Sequence, residues 1–319
     1  MWEGFPLFPE QASTFAAEVD ALYLAFVGVS AFFTVGIFLT ILFFAIKYRR
    51  RSEDEIPPAM HGNLALEVTW IAVPLIIASS LLLWGMKLYL RQFEPPGDAI
   101  EIAVVGKQWM WKLQHPGGQS EINELHVPVG RKIMLRMATE DVIHSFFIPA
   151  FRVKHDVVPG RYSMVWFQPT RVGEYHLFCA EYCGSKHSQM IGRVVVMEPS
   201  EFQQWLRRNE PAELPVVAGA RLFEEHGCQS CHQEVDSRRG PALAGLYGSR
   251  VRLASGDTVT ADEHYLREAI LNPRAKQVAG YPPLMPVFRN QLSEENVLRL
   301  LAYIKSLPAP AAEKTAELR

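Results

Sequence analysis

The sequence predicts a multidomain membrane protein: a two-helix transmembrane hairpin, then an all-β domain, then an all-α domain. Three observations carry this. Two long uncharged runs lie near the N-terminus. Short segments rich in Val, Ile and aromatics, divided by Pro/Gly turns, fill the middle. Helical periodicity returns after residue 215. The 319 residues suit two domains, or more where membrane segments are present. A net charge of −2 gives no support to a nucleic-acid partner.

Ala21–Ile46 is 26 residues without a charge, and Val68–Met86 is a second such run of 19. At ~1.5 Å per residue, about 20 residues cross the hydrocarbon core. A buried core helix is the alternative, and two runs joined by a polar loop argue against it. The first run is too long for a signal peptide, and no Lys or Arg precedes it. Lys47, Arg49, Arg50 and Arg51 follow it directly, so the 47–63 loop is expected in the cytoplasm. Everything after about residue 91 is then expected outside, periplasmic in a bacterial cell, with the protein in the inner membrane and lipid around the hairpin.

Ile100–Val105, Lys132–Met137, Met164–Phe167 and Arg193–Met197 read as strands. Pro116-Gly117-Gly118, Pro128-Val129-Gly130 and Pro159-Gly160 read as turns, and the spacing suggests an antiparallel sandwich or barrel. Ser200–Arg208 is a short helix that Ser200 could cap, and Asn209–Pro215 is a linker. Val216–His226 and Ser293–Leu307 are helices, the second with Ser293 as N-cap and an apolar face of Val297, Leu300, Leu301 and Ile304. The expected divisions are 1–95 for the anchor, 96–208 for the β domain, 209–215 for the linker and 216–319 for the helical domain.

The four cysteines form two close pairs. The first lies in Cys179-Ala-Glu181-Tyr-Cys183-Gly-Ser-Lys-His187-Ser-Gln-Met190. Thiolate and thioether ligands favour copper, and imidazole suits it. His144, opening His144-Ser-Phe-Phe-Ile-Pro, is the natural upstream ligand. Two thiolates can bridge two copper ions, each taking one histidine. Met190 and the Glu181 carbonyl are then weak axial ligands. Such a closed site suits electron transfer. The alternative is a Cys179–Cys183 disulfide with His187 and Met190 as packing.

On these residues the stretch from about 20 to 205 resembles subunit II of haem–copper cytochrome c oxidases. The string matches that family's binuclear copper-A motif at every ligand. The resemblance implies a cupredoxin (Greek-key) fold docked on subunit I, which carries haem a and the oxygen site, with subunit III a further partner. It also implies that the Glu181 side chain ligates a magnesium or manganese ion shared with subunit I. Trp109, in Gln108-Trp109-Met110-Trp111, would be where electrons enter from cytochrome c, although the family usually has Tyr at Met110. Glu67, in Glu67-Val-Thr-Trp70, would mark the cytoplasmic mouth of a proton channel; a carboxylate at a helix end in a bilayer is a functional candidate by default.

Cys228-Gln-Ser-Cys231-His232 is the c-type haem attachment signature. Both thiols would bind the haem covalently, with His232 as proximal ligand. A thioredoxin-like pair would need a βαβ context, and none is visible. Met285 is the one methionine after His232 and is the expected sixth ligand; the other histidine downstream, His264, lies in a charged helical run. A Met/His pair raises haem potential. Residues 212–307 resemble class I cytochrome c, with Gly219, Phe223 and Tyr303 as candidates for its helix packing. His61, His115, His126, His155, His176 and His226 lack a partner pattern and are expected to be structural or surface residues.

The combination resembles subunit II of caa-type oxidases, passing electrons from an upstream donor through haem c and the dicopper centre to haem a, with oxygen reduction and proton pumping in subunit I. Two alternatives stand beside it. One is the electron-accepting subunit of a copper-A nitric oxide reductase, and the other a membrane-anchored shuttle. The membrane helices argue against a soluble nitrous oxide reductase domain.

Overall fold

The computed structural model describes residues 8–56, 62–211, 213–233 and 237–309. His61 lies outside the described residues.

Helices α1 (Ala16–Lys47) and α2 (Leu64–Phe93) have 32 and 30 residues. Both are long and apolar enough to cross a membrane. Their large side chains, Phe38 and Leu82 among them, point outward with nothing covering them. In water that surface would be unfavourable at roughly 25 cal/mol per Å², and in lipid it is not. Glu67 sits in the first turn of α2, whose N-cap Asn63 accepts from the Leu66 N–H. An acid there complements the helix dipole whatever else it does.

The β domain is a sandwich of two five-stranded sheets. One has the order β3 (Ser120–Ile122), β2 (Met110–Gln114), β1 (Ile100–Lys107), β5 (Ile133–Thr139), β8 (Ser163–Phe167). The other runs β4 (Glu124–Pro128), β10 (Ile191–Met197), β9 (Gly173–Cys179), β6 (His144–Ile148), β7 (Val153–Val157). β1 lies parallel to β5 and β4 parallel to β10, so the chain crosses between sheets instead of meandering. The predicted strands are present, each extended by one or two residues at one end, with β5 starting one residue later than expected. Alternation sends Ile102, Val104, Ile133, Leu135 and Met137 into a core shared with Phe146, Phe167 and Val194.

The packed β domain also draws on residues ahead of α1. Ala12 and Phe15 are fully buried in its core, and the Ala12 N–H donates to the Ala150 carbonyl at 2.9 Å. Arg152 then pairs with Asp20 at 2.7 Å, and the Trp166 indole donates to the Arg91 carbonyl at 2.8 Å. These contacts tie the outer ends of both long helices to the sandwich.

Helix α3 (Pro199–Arg208) follows, but Glu198 is its cap, not Ser200. Glu198 and Glu201 form a reciprocal capping box, because Pro199 already occupies the first helical position. The helical domain holds α4 (Pro215–Glu225), the two-stranded β11 (Arg250–Arg252) and β12 (Thr258–Thr260), α5 (Glu263–Leu271) and α6 (Glu294–Ser306). Ser293 caps α6 as expected, accepting from the Asn296 N–H. α4 crosses α6 at Gly219, where a Cβ would lie 2.1 Å from the Arg299 carbonyl oxygen. Only glycine permits that approach. Phe223 and Tyr303 close the crossing with ring centroids 5.3 Å apart.

Candidate copper and haem sites

The first site forms where β9 ends and β6 begins. These strands are neighbours, with Phe146 opposite Cys179, so Cys179 and His144 emerge at the same end of one sheet. The loop from Cys179 to β10 brings the remaining donors back over them. The two sulfurs lie 3.8 Å apart. A disulfide requires about 2.05 Å, and both thiols are free. His144 Nδ1 is 3.8 Å from Cys179 Sγ, and His187 Nδ1 is 3.5 Å from Cys183 Sγ. Met190 Sδ is 3.8 Å from Cys183 Sγ, and the Glu181 carbonyl is 3.3 Å from Cys179 Sγ. All six predicted donor residues therefore converge. Two thiols, two imidazole nitrogens, a thioether and a carbonyl make a donor set that fits copper. The Glu181 side chain is exposed.

Electrostatics split the thiols. Burial pushes both up. The His144 contact and two backbone hydrogen bonds outweigh it at Cys179, which falls below the ordinary thiol value. At Cys183, burial and then the charge on Cys179 raise it. A cation between the sulfurs would remove that repulsion. His144 is raised despite burial, by its bonds to Cys179 and Asp141.

Two supporting residues, Asp141 and Gly184, escaped sequence reasoning. Asp141 accepts from His144 Nε2 at 2.8 Å, which fixes Nδ1 as the nitrogen facing the sulfurs. Asp141 also accepts from the Gln108 backbone N–H at 2.7 Å. The Gln108 amide and the Trp109 indole both donate to the Cys183 carbonyl, at 2.8 and 3.2 Å. Gly184 makes this possible: its φ is +116°, and a Cβ there would come within 3.3 Å of the Trp109 ring. Trp111 lies deeper, fully buried and edge-on to His144. A carboxylate three residues before His144 was the available signal, legible only once His144 is read as a ligand.

The second site is a cavity of about 380 Å³ in the helical domain, within the usual range for cofactor pockets. Cys228, Cys231, His232 and Met285 all line it, whereas His264 does not. His232 Nδ1–H donates to the Pro241 carbonyl at 2.9 Å, leaving Nε2 for iron. Leu243, Leu266, Leu300 and Ile304 supply an apolar wall. This donor set and lining fit a covalent haem. His226, expected to be bland, also lines the cavity and packs edge-on to Phe288.

His115 and His126 do have a partner. They flank buried Glu121, with His115 Nε2 at 2.7 Å and His126 Nδ1 on the other oxygen. Trp205 of α3 stacks on His126.

Comparison with known proteins matches each of the two domains to a family. Residues 117–198 match the family described as cytochrome c oxidase subunit II, periplasmic domain, and residues 216–308 match the cytochrome c family. Cytochrome c oxidase subunit 2 of Alkalihalophilus pseudofirmus is 32% identical over 290 residues, covering 86% of this chain and 83% of that protein. Its counterpart in Thermostichus vulcanus is 31% identical over 274 residues, 67% of this chain and 82% of that one. Its counterpart in Bacillus subtilis is 27% identical over 304 residues, 84% and 83% of the two chains. With a copper-binding β domain, a haem-binding helical domain and a match across most of its length, the chain belongs to the cytochrome c oxidase subunit 2 family, in the form that carries a fused cytochrome c domain.

Proposed function

We propose that this chain is the electron-receiving subunit of a bacterial respiratory oxidase, relaying electrons from its own haem c to a binuclear copper centre and on to subunit I. The observation that carries this is the convergence of His144, Cys179, Cys183, His187 and Met190 around two free sulfurs 3.8 Å apart. When bound, haem and copper each take up and release single electrons. The protein holds them still.

Cys179 and Cys183 would bridge two copper ions, with His144 and His187 one to each and Met190 and the Glu181 carbonyl as weak ligands. Cys228 and Cys231 would anchor the haem, with His232 and Met285 as axial ligands. Every donor comes from the chain, so no substrate has a place on the metal. Trp109, bonded to the Cys183 carbonyl, is where electrons enter from a donor docking at the copper end. The exposed Glu181 carboxylate is free to join a magnesium or manganese site with subunit I. Glu67, at the cytoplasmic start of α2, serves as a proton-channel mouth. Subunit III and lipid complete the surroundings of the hairpin. The domains and linker follow the divisions 1–95, 96–208, 209–215 and 216–319, with both termini on the periplasmic side of the inner membrane. The relatives' names support an oxidase over a nitric oxide reductase or a free shuttle.

Metal and haem analysis of the full chain tests this. Two copper ions and one covalent haem per chain are expected. One copper, or none, would sink the dicopper assignment. A purified complex consuming nitric oxide instead of oxygen would sink the oxidase reading.

A further inference from the structure

The β1–β5 part of the outer face of the β3-β2-β1-β5-β8 sheet is not a solvent face. Val105, Arg136 and Ala138 alternate away from the sandwich core, yet they are only 3%, 8% and 1% exposed. The outer face of a β-sandwich ordinarily carries polar, wet residues. Here the helical domain covers them. α6 lies against β1, and Ala138 and Tyr162 share one apolar cluster with Tyr265 and Leu266 of α5.

Tyr162 is the centre of this contact. Its ring lies 5.9 Å from the Arg136 guanidinium on one domain and 5.5 Å from that of Arg267 on the other. Such cation–π contacts strengthen when desolvated. Arg136 pairs with Glu101 at 2.8 Å and across the boundary with Glu263. Arg267 pairs with Glu294, Nε to Oε2 at 3.0 Å. The two guanidiniums are thus fixed by carboxylates, and the ring is fixed between them.

Contacts run from this ring in both directions. On one side its centroid is 5.5 Å from that of His264, whose chain neighbours include Tyr265, and Tyr265 and Leu266 line the haem cavity. On the other, Ser163 follows Tyr162 and pairs with Met137 in the β5–β8 ladder. Ala138 and Thr139 come next. The Thr139 hydroxyl lies 3.3 Å from Asp141 Oδ1, which accepts from His144 at 2.8 Å.

We propose that this docked position is the electron-transfer position of the cytochrome domain, and that Tyr162 is the side chain coupling the haem cavity to His144. The inference rests on the copper and haem assignments above. One electron passes, so the iron goes from ferrous to ferric and the dicopper centre is reduced by one. No proton accompanies it through Tyr162. The phenol is buried, its hydroxyl has no hydrogen-bond partner among the described residues, and burial holds its pKa well above the ordinary tyrosine value. Tyr162 therefore acts as a contact and not as a radical. Trp109 reaches the site separately, at the Cys183 carbonyl.

The test uses the full chain loaded with haem and copper. A light pulse on an added ruthenium photosensitiser with a sacrificial amine donor delivers one electron to the haem, and its reoxidation is followed by absorbance. Tyr162→Leu keeps apolar bulk and removes the ring; it should slow reoxidation about tenfold, equivalent to ~1.4 kcal/mol of barrier. Haem and copper spectra and potentials should not move. Tyr162→Phe should keep the rate. Amide hydrogen exchange gives a readout independent of turnover. Protection at β5 and α5 should persist in Tyr162→Leu and fall in an Arg136→Gln, Arg267→Gln double variant, which should also slow reoxidation. An unchanged rate in Tyr162→Leu overturns the proposal, as does a slowed rate in Tyr162→Phe. If the unmodified chain shows no internal transfer with both cofactors bound, the relay function itself falls.

Discussion

His144 and Asp141 stand 2.8 Å apart, the imidazole Nε2–H donating to a carboxylate that also receives the backbone N–H groups of Gln108 and Val142. That carboxylate has its own anchors and does not depend on the histidine for its place. Burial raises the pKa of Asp141, but the Gln108 N–H and then His144 bring it below the ordinary aspartate value. The imidazole is thereby locked in one tautomer, with Nδ1 toward the sulfurs.

We predict that Asp141→Ala weakens copper binding by about 10–100-fold, the usual effect of removing a group that orients a metal-bound histidine. Titration of the full chain against a competing chelator measures it. Haem content should not change, because the cavity is built from other elements. Copper affinity equal to that of the unaltered chain would refute the orienting role.

Met285 is the second target. Met285→Leu keeps an apolar side chain on the cavity wall but removes the thioether. The haem potential should fall by a sizeable share of the ~0.8 V that axial ligation spans, and the Met–iron absorption band should disappear. Redox titration and absorbance read both. A band and a potential both unchanged from the unaltered chain would refute Met285 as a haem ligand.

What the sequence disclosed follows from where the chemistry sits along the chain. The copper donors from Cys179 to Met190 span twelve residues, and the haem string from Cys228 to His232 spans five, so both were legible without a fold. The apolar runs of α1 and α2 were legible because lipid demands continuous composition. Groups that depend on distant partners were not. Asp20 meets Arg152 across 132 residues, and Arg136 meets Glu263 across the domain boundary. Glu121 takes His126 from β4 in the other sheet and His115 from the turn after β2, a pairing that no spacing announces. The Ser200 cap failed for a local reason: Pro199 is already inside the helix, which moves the cap back to Glu198.

Glu121 makes the protein acid-sensitive. Burial raises its pKa, but hydrogen bonds from His115 and His126 outweigh that and leave it below the ordinary glutamate value. A carboxylate depressed in the folded state contributes stability that is fully present above its unfolded pKa, ~4.3. That contribution is lost as pH falls through the lower, folded value. We predict that Glu121→Gln flattens the acid limb of a thermal-melt profile below about pH 4.3. An unchanged limb would place the acid sensitivity elsewhere.

The last prediction concerns the crossing of α4 and α6, on which the haem cavity depends. Phe223 is 8% exposed, packs on Tyr303 and also lines the cavity. Phe223→Ala should destabilise the helical domain by about 3–5 kcal/mol, the range for large-to-small changes in a core. Gly219→Ala acts through backbone instead. Its Cβ would sit 2.1 Å from the Arg299 carbonyl and 2.8 Å from the Tyr303 Cβ, so the helices must separate. Because both helices contribute cavity lining, that separation should loosen the haem pocket as well as lower the melting temperature. Calorimetry of the full chain should show the helical-domain transition shifted down in both variants, with the β-domain transition unmoved for Gly219→Ala except through the contacts at Tyr162. A Gly219→Ala variant that melts like the unaltered chain would show that α4 and α6 do not approach as closely as this crossing requires.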